Sequence, residues 1–77
     1  MAKRAKNPNL AKLGSQIKVA RKSLSWSQEE LAYRASLDRS YIGGVERGER
    51  NVTFTTLCQI AAALKTNASA LSKGIPK

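Results

Sequence analysis

Arg39, Ser40 and Tyr41, followed closely by Arg47, Arg50 and Asn51, gather hydrogen-bond donors of graded reach into one short stretch of the chain. The planar fork of Arg39 suits two adjacent acceptors, such as O6 and N7 of a guanine edge. Ser40 offers a short hydroxyl that suits either a base or a phosphate, so it specifies less. Tyr41 can donate its hydroxyl to a phosphate, and Arg47, Arg50 and Asn51, at the far end of the stretch, can clamp the other flank of a nucleic-acid groove. Gln28, upstream, combines an amide donor with the positive end of a helix dipole, a good phosphate anchor.

The composition favours that chemistry over others. Fourteen Lys and Arg stand against five acidic residues in 77 residues, a net charge of +9. So large an excess points to a polyanionic partner, and nucleic acid is favoured. An anionic membrane surface would call for one strongly amphipathic basic helix, whereas the basic residues here are spread along the chain. Catalysis is not expected: there is no His, one Cys, and no phosphate-cradling Gly loop. The same shortage of ligands argues against a metal site, and no cofactor is expected. The single cysteine, Cys58, excludes an internal disulfide framework and reads as a partly buried apolar residue. No apolar run approaches the roughly 20 residues that span a bilayer. The basic N-terminus leads into Asn7-Pro8-Asn9 rather than an apolar stretch, so a secretory signal is not expected. These features describe a soluble, intracellular protein.

The elements that must position the donors are legible from periodicity. Residues 1–9, with Lys3, Arg4 and Lys6, read as a flexible basic arm, and residues 10–77 as one domain. Leu10, Leu13, Ile17, Ala20 and Leu24 recur at helical steps, with Asn9 as N-cap. Ser27 and Glu30 form a capping-box pattern, with Trp26 and Leu31 as its hydrophobic staple, opening a helix over Gln28 to Ala35. Leu37 plugs the turn that follows. Asp38 caps a second short helix, running to about Arg47, that Gly48 stops. Thr53 opens a fourth helix, through Leu57, Ile60, Ala61 and Leu64, and Asn67 a short fifth one. No period-2 alternation is sustained. The expected fold is all-α, five helices around one aliphatic core.

Two short helices joined by a tight turn have the proportions of a helix-turn-helix, whose second helix enters the major groove. With Ile42 and Val45 facing inward, Arg39, Ser40, Gly43, Gly44 and Arg47 face outward. Each helix-interior glycine costs about 0.8–1.0 kcal/mol relative to alanine. Two readings of Gly43-Gly44 stay open: close approach to base edges, or a tight helix crossing. Glu46 and Arg21 both lie on the margin of the buried face. Either charge alone would be costly there, so the two are expected to form a structural ion pair. Leu57, Leu64, Leu71 and Ile75 read mainly as core, with Leu71 and Ile75 as apolar surface that can close a dimer.

Trp26-Ser27-Gln28-Glu29-Glu30-Leu31-Ala32, Leu37 to Ile42, and Val45-Glu46-Arg47-Gly48, in that order and spacing, resemble the phage repressor/Cro-like (XRE) helix-turn-helix domain. The resemblance covers residues 10 to 74. Residues 37 to 51 look most like the controller proteins of restriction–modification systems. It implies a five-helix lambda-repressor-like domain that binds an inverted-repeat operator in double-stranded DNA as a homodimer, in the bacterial cytoplasm on the nucleoid. It implies base contacts by Arg39 and Ser40, base or backbone contacts by Arg50, and phosphate or sugar contacts by Tyr41 and Asn51. Arg21 and Glu46 match the family's inter-helix ion pair. Ser36 stands where the turn often has Gly, which implies a strained turn. The alternative is an antitoxin-type partner of a toxin, although little of the chain is left over to hold one.

Overall fold

Among the described residues, each of the five helices opens on a side-chain cap. The computed structural model describes residues 7–76, so Lys3, Arg4 and Lys6 of the expected arm lie outside the described residues. The helices are α1 (Pro8–Ser23), α2 (Gln28–Ala35), α3 (Arg39–Glu46), α4 (Phe54–Ala63) and α5 (Ala68–Leu71). Ser27, Asp38, Thr53 and Asn67 accept the backbone N–H of Glu30, Ser40, Thr56 and Ala70, as their positions before each apolar run predict.

The start of α1 differs from the sequence reading. Asn7 is the cap, accepting from the N–H groups of Asn9 and Leu10, and Pro8 occupies the first turn. Proline fits there because its missing N–H would have had no partner and its φ is already helical. Asn9 is therefore inside the helix. The capping box of α2 is half formed: the Glu30 carboxylate turns to Arg34 Nε at 2.6 Å instead of back to Ser27.

Four helices close the same way. Ser25, Ser36, Gly48 and Lys65 adopt left-handed φ of 62°, 58°, 76° and 62°. The next N–H in each case (Trp26, Leu37, Glu49, Thr66) reaches back to the carbonyl of Arg21, Ala32, Gly44 or Ala61. This satisfies carbonyls that the helix end leaves without partners. Only Gly48 carries the residue type that signals such a closure. At Ser36 the αL conformation sits between α2 and α3 and makes their turn sharp.

The core is aliphatic. Ile17, Leu31, Ile42, Val45 and Ile60, contributed by α1 to α4, are essentially inaccessible, and Leu71 joins them from α5. Burying each such side chain contributes about 1.5–3 kcal/mol. Gly14 is needed where α1 crosses α3, because a Cβ there would meet the backbone oxygens of Val45 and Glu46. Truncating Ile42 to alanine would cost about 2–5 kcal/mol and loosen the seat of α3. Among the described residues no helix is long and apolar enough to cross a membrane.

Candidate nucleic-acid interface

The inner side of α3 is fastened by a polar node. Arg21 Nε donates to Glu46 Oε2 at 2.7 Å and its Nη2 to Glu46 Oε1 at 2.9 Å, the parallel geometry of a bidentate pair. Its Nη1 donates to the Trp26 carbonyl at 2.6 Å, and Gln28 Nε2 donates to Glu46 Oε1 at 3.0 Å. The Glu46 carboxylate thus joins α1, the start of α2 and α3, and the Arg21 guanidinium ties in the turn after α1 through the Trp26 carbonyl. Arg21 and Glu46 are both buried, and no buried side-chain N or O among the described residues lacks a hydrogen-bond partner. Burial pushes the Glu46 carboxyl up, but the hydrogen bonds from Arg21 and Gln28 and the Arg21 charge outweigh it and hold the carboxyl below its ordinary value.

Sequence periodicity placed Arg21 and Glu46 on facing margins, but not Gln28 or the Trp26 carbonyl. Gln28 was read only as a phosphate anchor, and the structure gives its amide an intramolecular partner. Arg34 was also passed over. Its guanidinium lies 4.3 Å from the centroid of the Trp26 ring while Nε pairs with Glu30. The i, i+4 spacing of Glu30 and Arg34 is the signal that points to it.

The outer side of α3 presents a different set of groups. Arg39 is exposed and makes no hydrogen bond or ion pair among the described residues. Asp38 beside it is held below the ordinary aspartate range, first by the Ser40 hydroxyl and then by the Ser40 backbone N–H at 3.0 Å. Ser40 is therefore engaged with the cap residue in this state. Arg50 lies over the Tyr41 ring, 5.7 Å from its centroid, with Tyr41 half-buried beneath it. Arg47 is exposed and pairs with Glu49 at 3.0 Å, a surface ion pair worth at most about 1 kcal/mol. Asn51 is exposed in the loop that leads to α4.

Two expectations need correction. Gly43 and Gly44 do not present bare backbone to solvent, and both are buried. The side chains of Arg47 and Gln28 cover Gly43, and that of Arg50 covers Gly44. Helical periodicity cannot show long neighbouring side chains folding over the gap that the two glycines leave. Leu71 is not a dimer surface: it is 3% exposed and lies in the core, because α5 folds its single apolar turn onto α1 and α4. Ile75 is half-buried and packs against the same cluster. Among the described residues the exposed large apolar ones are Val19, Leu24, Tyr33 and Phe54. Of these the sequence pattern names only Leu24, as part of the apolar face of α1, and it lies exposed at the C-cap of that helix.

Known proteins share this arrangement. The model of the helix-turn-helix family matches residues 17–71. The control protein C.SmaI of Serratia marcescens is 47% identical over 55 residues, covering 71% of this chain. That match spans 66% of the relative, just under two thirds of its length. The crystal structure of the restriction–modification controller protein C.AhdI from Aeromonas hydrophila superimposes with a TM-score of 0.82 at 42% identity, covering 84% of this chain and 98% of that one. The restriction–modification controller C.Esp1396I, solved as a tetramer with its natural 35 base-pair operator, superimposes with a TM-score of 0.78 at 37% identity, covering 84% of this chain and 86% of that one. With a locked inner face on α3, a donor-rich outer one, and these relatives, the chain belongs to the helix-turn-helix family and is similar within it to restriction–modification controller proteins.

Proposed function

We propose that this protein is a sequence-specific transcription regulator that binds an inverted-repeat operator as a homodimer, as the controller of a restriction–modification system. The observation that carries the reading is the unequal use of donors around α3. Those of Arg21 and Gln28 are tied to Glu46, and the Arg39 guanidinium is left for an outside acceptor. Arg39, Ser40 and Arg50 then contact bases, and Tyr41, Arg47, Asn51 and the second amide hydrogen of Gln28, the one not given to Glu46, contact the sugar–phosphate backbone. The net charge of +9 supplies the sequence-independent attraction that positions the protein on the duplex. The chain acts by binding and not by catalysis, in the bacterial cytoplasm on chromosomal DNA. The similarity to controllers, one of them solved on its own operator, supports the partner class.

Binding-site selection from randomised duplexes tests this. The expected product is an inverted repeat with half-sites about one helical turn apart, bound by two chains. Affinity for it should fall steeply with salt and exceed that for a scrambled duplex by roughly a thousand-fold or more. Recovery of sequence-indifferent duplexes would overturn the proposal.

A further inference from the structure

Four glycines in and around α3, Gly14, Gly43, Gly44 and Gly48, face neighbouring groups for different reasons. A Cβ on Gly14 would strike backbone, so that glycine allows a helix crossing. Gly48 has a positive φ of 76° and ends the helix. Gly44 has neither reason: it lies in the middle of α3 without a positive φ, where alanine would form a better helix. The three atoms nearest to a Cβ at Gly44 would all belong to the Arg50 side chain, with Cγ at 2.7 Å, Nε at 3.3 Å and Cδ at 3.6 Å. Gly43 is a milder case, with Arg47 Nη1 at 3.1 Å and Gln28 Oε1 at 3.4 Å.

We propose that Gly44 is a specificity-determining position that acts through Arg50: the missing side chain is the seat in which the aliphatic stem of Arg50 lies. The Tyr41 ring forms the second wall of that seat, under the guanidinium. A side chain with several rotatable bonds loses much freedom when it binds a base edge. Laying its stem into a slot on the helix that reads the DNA removes part of that loss beforehand. The loop after Gly48 thereby adds an arginine to the surface of α3 that the helix itself does not carry. This rests on the DNA-binding reading above and assigns a base contact to Arg50.

The test uses the full chain as wild type, Gly44→Ala, Arg50→Ala and the double variant. Each is titrated against the duplex that the wild type selects and against a scrambled one, with thermal melts alongside. Gly44→Ala should melt at or above wild type, yet bind the selected duplex about ten-fold or more weakly, the size of a lost arginine–base contact. Its affinity for the scrambled duplex should be unchanged. The double variant should bind no worse than Arg50→Ala, since both substitutions remove one interaction. In the free protein, the Arg50 side-chain resonances should lose the ring-current shift from Tyr41 in Gly44→Ala. Wild-type binding by Gly44→Ala, additive losses, or a melting temperature that falls along with affinity would each overturn the positioning role. A wild type that selects no duplex overturns the regulator reading and this inference together. A selective wild type together with a Gly44→Ala variant that binds the selected duplex as tightly overturns this inference alone.

Discussion

Beneath α3, the Arg21 guanidinium commits its donors to the Glu46 carboxylate and the Trp26 carbonyl, while on its outer side Arg39 makes no hydrogen bond among the described residues. The two side chains are chemically identical, and each carries five donors in a fixed fork. Their surroundings separate them. A buried charge must be paired where it stands, because water is not there to solvate it. An exposed one is solvated at no structural cost and stays available. One guanidinium therefore fixes the orientation of the helix, and the other is presented by it. Arg50 is intermediate, exposed but laid against Gly44 and Tyr41.

The sharpest way to break this comparison is to exchange the consequences. Arg21→Met should destabilise the protein by about 3–5 kcal/mol in chemical denaturation, because it leaves Glu46 buried without its main partner. In a domain of ordinary stability that is a large part of the total. A loss under 1 kcal/mol would mean the node does not hold α3. Arg39→Ala should do the reverse. Its stability should stay within about 0.5 kcal/mol of wild type, while affinity for the selected duplex falls by about 1–3 kcal/mol and preference relaxes at one base position. A uniform loss over all sequences would make Arg39 a phosphate contact.

Acid sharpens the same contrast. Glu46 is held below the ordinary glutamate value of 4.5, so folding is favoured by its ionised form. The stability it contributes is fully present above that ordinary value and is lost as pH falls through the lower folded one. Glu46→Gln should flatten this part of the acid limb in melts at successive pH values, and a parallel acid limb in both proteins would remove Glu46 from the account. The smallest effect is expected at Arg34, which is partly exposed over Trp26. Arg34→Ala should cost about 0.5–1 kcal/mol and change the Trp26 emission, since both the ring contact and the Glu30 pair are lost. An unchanged emission spectrum would show that the contact over the ring is not maintained in solution.

Capping residues were the most legible part of the chain. Ser27, Asp38, Thr53 and Asn67 each act on an N–H two or three positions away, so their effect is contained in local sequence. The exceptions were local as well. Asn7 took the cap from Asn9 because Pro8 fits the first turn, and Ser25, Ser36 and Lys65 close helices in a conformation usually signalled by glycine. Exposed apolar residues such as Phe54, at 72% accessibility, were not foreseen, because periodicity reports a helix face and not what lies opposite it.

The sequence by itself determined that Asp38 caps α3, that Ile42 and Val45 turn inward, and that Arg39 points out, all of which follow from caps and a 3.6-residue period. Only the tertiary structure decided what meets across the helices. Gln28 joins Glu46 across 18 positions, Leu71 turns into the core, and the glycine pair that looked bare is covered by Arg47, Gln28 and Arg50. Such contacts depend on where helix axes cross and on how long side chains fold back, and a helical period contains neither.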